Sequence, residues 1–538
     1  MPTTSSLTLS ADLVKGPLLA AASDLIDRVL TAAAAGRSAR ELELSVASVM
    51  CELGREVLEG ALATACRQAT LKDLEQRSLP PEKVTIRGDE DYWMSLTSTF
   101  GPVRFPLFAY RDYSSPIASV TRTPAHAMFP LHPRCRSTEL CLEWECRLAG
   151  QQPFRKAAEM LHYFTRGACR VEDTTIERHA VRTGHLIEQQ WLYRKWSDVA
   201  EILRVRATRD LMTGRPIMYW SSDAHALRRY FNESWTAEWK MMNGMRLWCV
   251  DRDTGGTIHI GGEFTCGDAD YLRERLSDLF AKGIMPKDGD FGGGVAATYV
   301  FVADGMPWFE DHLLPQLPTA VAILDVYHLV KRLAEYAKPK GKTKAFAVKW
   351  FHQALKILLG PPPKRPEPSS ARKGHTKHRG PRPRPPQVPM QPHGPRRKTT
   401  AEKLLAHLRG IDQQLKGHED LDEYITKNMY RSDYASYRAR GFQIGSGAME
   451  SFHRTGSQER LKRAGARWLP ETLEAMFRLR MLEIVGRWNE WWSQPEFFAQ
   501  NAERFTTTTY RTRTGPQARR KSKATKASHT RAAQALHQ

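Results

Sequence analysis

Between residues 216 and 324 the sequence sets β-prone and helical runs in an order that few folds accept. Pro216–Leu227 (PIMYWSSDAHAL), Gly244–Val250 and Gly256–Phe264 read as three strands, the last two joined by turn residues at Asp251–Gly255. Asp268–Lys282 then has the spacing of an amphipathic helix. Ala296–Ala303 (AATYVFVA) is a buried strand that stops at Asp304-Gly305, and Ala320–Leu324 is another. Three strands, a helix, a strand, a helix and a strand predict an α/β core.

Acidic residues stand at telling points of this order. Asp223 lies inside the first strand, where aspartate is depleted, so a functional role outweighs a solvent-facing one. Asp304-Gly305 taken alone is an ordinary strand-ending turn. A third carboxylate, Glu450, belongs to the stretch Gly441–Trp492. There Gly445-Ser446-Gly447 permits a tight turn into a helix, and Glu450 falls in its first turn, where a negative charge also suits the helix N-terminus. Arg460, Lys462, Arg463 and Arg467 form a basic run after it, and Leu473, Met476, Phe477, Met481, Ile484, Val485 and Trp488 continue at helical spacing. Ser446 is not a nucleophile elbow, because G-x-S-x-G needs glycine where Ile444 stands.

Ile444-Gly445-Ser446-Gly447 with Glu450, Arg460-Leu461-Lys462-Arg463 with Gly465 and Trp468, and then Leu479-Arg480 and Trp488 resemble the C-terminal motif of DDE transposases from bacterial insertion sequences, in the ISKra-type group related to Mutator-like elements. Asp304-Gly305 followed by Trp308, and Asp325-Val326-Tyr327-His328 as a (Cys/Asp)-x-x-His signature, match the same family. The likeness is specific over residues 215–338 and 431–492 and loose over 99–184. It implies a ribonuclease-H-like catalytic domain interrupted by an α-helical insertion, an order with which the strand pattern agrees. It also implies Asp223, Asp304 and Glu450 as catalytic residues and ligands of two Mg²⁺ ions, with Mn²⁺ as a substitute. Phosphodiester cleavage and strand transfer use two such ions about 3.5–4 Å apart, and hard cations call for carboxylates. Asp325 and His328 share one face of a helix start and are expected to support the site. Asp304 is preferred to Asp325 as second ligand because its strand should neighbour the one that carries Asp223.

The formal net charge of +21 is unevenly spread. Residues 361–398 hold eleven Lys/Arg against Glu367, a net of +10, and residues 511–538 hold eight and no acid, a net of +8. The rest of the chain is therefore nearly neutral, a pattern that suits basic arms on a nucleic-acid enzyme and equally suits solubility. Residues 153–184 have the look of a helix-turn-helix, with Gly167 at the turn and Arg178, His179 and Arg182 on the second helix, although Glu172-Asp173 at its start would repel phosphates. Arg178, Arg182, Arg460, Lys462, Arg463 and Arg467 are the expected DNA contacts. The eight cysteines form no C-x-x-C pair, so disulfides and a zinc ribbon are not expected, and Cys135, Cys141 and Cys146 read as buried thiols. No signal peptide and no run of membrane-spanning length is present.

The predicted organisation is a helical N-terminal region (1–80), a small β region with the helix-turn-helix-like segment (81–210), the first part of the ribonuclease-H-like domain (211–338), a helical insertion (339–430) whose twelve-proline segment 361–398 is a disordered loop, the second part with Glu450 (431–495), and a disordered basic tail (506–538). The function this predicts is that of a cytoplasmic, nucleoid-associated transposase, which binds double-stranded DNA at element ends and target sites as a homo-oligomer and does not engage membranes. The other expectation is a catalytically silent DNA-binding protein derived from one.

Overall fold

The computed structural model describes residues 11–79, 84–87, 93–112, 118–125, 135–230, 237–267, 269–305, 312–317, 319–337, 344–361, 398–411, 419–494 and 507–511. The Pro-rich loop over 362–397, the tail beyond 511 and Trp308 lie outside them. The chain divides into two compact units, residues 1–183 with 489–538, and residues 184–488. This division falls at Thr183/Gly184 rather than at residue 210. The reason is that residues 189–205 attach to the central sheet: Arg194 N–H donates to Ile260 O at 2.8 Å, and the Tyr193 hydroxyl donates to Glu263 at 2.8 Å.

In the first unit, α1 (Ala11–Ala34) and α2 (Ala39–Arg77) form the expected helical N-terminal region. Ser38 starts α2 with a reciprocal cap: its hydroxyl accepts from Glu41 N–H, and Glu41 accepts from Ser38 N–H at 2.9 Å. Five short strands follow: β1 (Val84–Arg87), β2 (Trp93–Ser98), β3 (Gly101–Pro106), β4 (Ala109–Asp112) and β5 (Ala118–Arg122). Cys66, Leu58 and Leu62 of α2 pack on Leu96, Val103 and Phe105. Three helices complete the region, α3 (Glu139–Gln151), α4 (Phe154–Phe164) and α5 (Asp173–Leu186). Of the expected recognition residues on α5, Arg178 is exposed and Arg182 half-buried. His179 departs from that reading: it is buried, with Nδ1 2.6 Å from Glu145 Oε2 on α3, because a polar ring on the inner face of the helix must find a partner. Cys135, Cys141 and Cys146 are buried thiols.

The second unit is built on one five-stranded sheet. After α6 (Trp196–Val205) come β6 (Ile217–Tyr230), β7 (Ala237–Val250) and β8 (Thr257–Thr265), then α7 (Ala269–Ala281), β9 (Thr298–Ala303) and β10 (Val321–Leu324). The order across the sheet is β10-β9-β6-β7-β8. β6, β7 and β8 pair antiparallel, whereas β9 runs parallel to β6 and β10 parallel to β9. Four of the strands lie within three residues of the expected bounds, since buried β-branched and aromatic runs mark them locally, whereas β7 begins at Ala237, seven residues before the expected Gly244. Between β9 and β10, where a second helix was expected, the described residues form a short helical turn, Leu314–Gln316.

Alternation along the strands separates the two faces. Trp220 faces Tyr299 and Phe280 of α7, with ring centroids 5.5 and 6.0 Å away. Tyr219, Val300, Val302 and Ile323 enter the opposite core, under α8 (Val326–Ala337), α9 (Lys344–Leu359), α10 (Thr400–Ile411), α11 (Glu419–Lys427) and α12 (Tyr434–Ala439). Of the expected helix Ala401–Leu421, the described parts are helical, α10 to Ile411 and α11 from Glu419; residues 412–418 lie outside the described residues. The unit closes with α13 (Gly447–Phe452) and α14 (Pro470–Ile484), whose buried stripe includes Leu473, Met476, Phe477 and Met481.

One part of the predicted disordered tail is ordered. Thr507–Arg511 pairs antiparallel with Ala118–Arg122 of β5. Its run of β-branched threonines ending in Tyr510 suits an added edge strand, even though it has few apolar residues for a core of its own.

Candidate active site

The parallel pairing of β6 with β9 brings two acids to one level. The ladder ends with Ser221 opposite Val302; Asp223 lies two residues further along β6 and Asp304 two residues beyond Val302, just past the end of β9, and the charge of Asp304 acts on Asp223. Adjacent strands lie ~4.8 Å apart. β10 is one strand further out, with Leu324 opposite Ala303, and Asp325 continues that ladder by donating its N–H to Ala303 O at 2.7 Å. Gly305 has φ +94°, a left-handed conformation that lets the chain leave β9 sharply, and Asp304 O accepts from the Tyr424 hydroxyl at 2.8 Å.

Glu450 arrives from above. The turn before α13 is pinned over the strand ends: Gln443 N–H donates to the Tyr219 hydroxyl at 3.0 Å, and Val326 N–H donates to Ile444 O at 3.0 Å. At Gly445 a Cβ would sit 2.5 Å from the Tyr327 ring, so any larger residue would require that ring to shift. Met449 and Phe452 are buried, with Phe452 stacked on Phe264 of β8 at 4.8 Å, and Glu450 is left exposed.

Asp223 feels all of these groups. Burial, and then the charges of Asp304 and Glu450, push its carboxyl up to about 6, while a backbone bond from Ala224 N–H at 2.7 Å and the nearby His328 act in the opposite direction. Asp304, Glu450 and His328 therefore all act electrostatically on Asp223. Asp325 is placed differently. It is fully buried, accepts from Ser446 Oγ at 2.5 Å and from Tyr327 N–H at 2.9 Å, and has His328 Nε2 3.7 Å away.

Two histidines that sequence reasoning passed over join the site. His453 Nδ1 lies 3.6 Å from Asp223 Oδ2, and the His225 and His453 rings stack obliquely with centroids 4.4 Å apart. Both are buried, which lowers His225 to about 4 and His453 to about 3, so both are neutral at pH 7. Their signals were available: His225 is two residues from Asp223 on a strand, and His453 three from Glu450 on a helix, so each pair shares a face.

Of the expected basic contacts, Lys462, Arg463 and Arg467 are exposed. Lys462 Nζ sits 5.7 Å from the centre of the exposed Trp239 ring, and its charge reaches His225 and His453. Arg460 departs from the expectation. It is 3% exposed and its guanidinium lies 4.8 Å from the Trp468 ring, because the helical turn that carries it packs inward.

The donor set is of the kind hard divalent cations take: carboxylate oxygens from three separate chain segments. As placed, no three His, Cys, Asp or Glu side chains among the described residues are arranged to hold a metal ion. No helix among these residues is long and apolar enough to cross a membrane. No family model matches this chain, and no curated protein is significantly similar to it.

The raised Asp223 carboxyl has a consequence for stability. In metal-free protein above pH 6 the folded state carries a charge that the unfolded state solvates better, and the penalty vanishes as pH falls towards the ordinary carboxylate value near 4. Asp223→Asn in EDTA should therefore stabilise the protein at pH 8 by ~2–3 kcal/mol, and the gain should shrink steadily between pH 6 and 4. Thermal melts across that range check it; a pH-independent difference would contradict the electrostatic account.

Proposed function

We propose that this chain is a DDE-type transposase. Its second unit is read as a ribonuclease-H-like domain, with the helices over 339–430 as an insertion between the second and third catalytic residues. The observation that carries the reading is that the charges of Asp304, Glu450 and His328, drawn from three other elements, all act on Asp223 just beyond the end of the parallel pairing of β6 with β9. The sheet order, three antiparallel strands followed by two parallel ones, supports the fold assignment.

In this reading Asp223, Asp304 and Glu450 would hold Mg²⁺ or Mn²⁺, and the cation's charge would offset the burial and the neighbouring carboxylates that raise Asp223. Two such ions, if bound, would supply an activated water or 3′-hydroxyl and stabilisation of the leaving oxygen. Asp325 fixes the turn before Glu450 through Ser446, and thereby the approach of α13. Exposed Lys462, Arg463 and Arg467, beside Trp239, contact DNA phosphates near the site, with Arg178 and Arg182 as further contacts from α5. The basic segments 361–398 and 511–538 add affinity for any sequence. The substrate is double-stranded DNA at the element ends and the target, engaged by a homo-oligomer at the nucleoid in the cytoplasm.

The test is a mobility-shift assay with DNA flanking the gene, coupled to nicking in Mg²⁺ and in Mn²⁺. Retention of flanking DNA over random DNA, with metal-dependent nicks, is the expected result. Specific retention without nicks in either metal would leave the silent DNA-binding protein as the better reading, and failure to retain DNA at all would overturn both.

A further inference from the structure

We propose that His453 is a positioning residue: it fixes the rotation of the Asp223 carboxylate and ties it to the helix that delivers Glu450. The inference rests on the reading of Asp223 and Glu450 as the working carboxylates and assigns the group that keeps them in step.

The two oxygens of Asp223 are held differently. Oδ1 accepts from the N–H of Ala224 at 2.7 Å, and Oδ2 faces His453 Nδ1 at 3.6 Å. At 3.6 Å this is a contact rather than a hydrogen bond, and the His453 ring also interacts with the Asp223 backbone, so His453 bounds the rotation of the carboxylate on its Oδ2 side. His453 is suited to this task because it cannot wander: it is only 4% exposed and packs against the rings of His225 and Phe264, with centroids 4.4 and 5.3 Å away. His225 is itself anchored, with Nε2 2.9 Å from Ser457 Oγ.

The backbone around His453 supports the same assignment. After Phe452 the helix widens into a π-turn over His453–Gln458. Such wide turns are frequent at functional sites, since they re-aim one side chain without ending the helix. Arg480 of α14 donates Nε–H to Gly456 O at 3.0 Å and also bonds Thr455 O, which satisfies carbonyls of the widened turn from behind. Glu450 and His453 are therefore fixed to one another by a braced turn, and His453 faces Asp223.

A purely packing role predicts that any ring of similar size would serve, whereas a positioning role requires a donor at Nδ1. The experiment compares His453→Phe with His453→Asn, whose side-chain amide nitrogen can stand where Nδ1 does. Nicking, Mn²⁺ binding by electron paramagnetic resonance, and thermal melts are measured on the full chain. The Phe variant should melt near wild type, lose roughly 10–100-fold in kcat with KM for DNA unchanged, and need about tenfold more Mn²⁺ for half-saturation. The Asn variant should recover most of both. A Phe variant that binds Mn²⁺ and nicks like wild type overturns the proposal, as does an Asn variant no better than Phe.

Nitrogen-15 spectra of histidine-labelled, metal-free wild type give a readout independent of activity and of variant folding. The proton of His453 should reside on Nδ1, and a proton on Nε2 alone overturns the proposal. If wild type never nicks DNA, the transposase reading falls, while the spectra still test the contact: the Nδ1 resonance of His453 should shift in Asp223→Asn, and an unchanged resonance overturns the proposal.

Discussion

Glu450→Gln should reduce metal-dependent nicking by roughly 10³-fold, about 4 kcal/mol of barrier, while DNA retention stays within about twofold of wild type. The substitution keeps the shape of the side chain and removes one negative oxygen donor. Glu450 is exposed on α13, whose hold on the sheet comes from Met449 and Phe452, so the change should leave the fold intact and the melting temperature within about 1 °C, as for surface substitutions generally. Lys462, Arg463 and Arg467 are also untouched, so phosphate binding persists. Loss of a charge near Asp223 should in addition lower the Asp223 carboxyl towards its ordinary range, because Glu450 is one of the groups that raise it. Undiminished nicking by this variant would remove Glu450 from the catalytic set.

The second large effect separates the two aspartates that end neighbouring strands. Asp304→Asn should abolish nicking with little change in stability, whereas Asp325→Asn should destabilise the second unit by ~1–3 kcal/mol and leave measurable metal-dependent activity. The register explains the difference. Asp304 stands one strand from Asp223 and contributes directly to its raised carboxyl, while Asp325 follows β10, one strand further out. Asp325 is fully buried, and its oxygens accept from the Ser446 hydroxyl and the Tyr327 N–H, so its charge is used to hold the turn that precedes α13. A change at Asp325 should therefore appear in melts as well as in rate. Should Asp325→Asn be inert and Asp304→Asn active, the second carboxylate is Asp325, and Asp304-Gly305 is only a turn.

The sequence by itself determined the elements. The strands β6 to β10, apart from the first half of β7, the helix after β8, the helices at the N-terminus and the turn into α13 follow from periodicities of two or 3.6 residues and from glycine and proline at their ends, all confined to short windows. That Asp223 lies inside a strand was legible for the same reason, and a carboxylate there breaks a local rule, which is what singles it out as a candidate. What only the tertiary structure decided is which elements meet. The parallel register that sets Asp223 beside Asp304, the π-turn that aims His453 at Asp223, the burial of Arg460 against Trp468 and of His179 against Glu145, and the pairing of Thr507–Arg511 with β5 each join separate elements or depend on how an element packs. No window of sequence carries these contacts, because a strand edge or a helix face specifies that it must be covered and leaves the choice of partner to the packing of the whole unit.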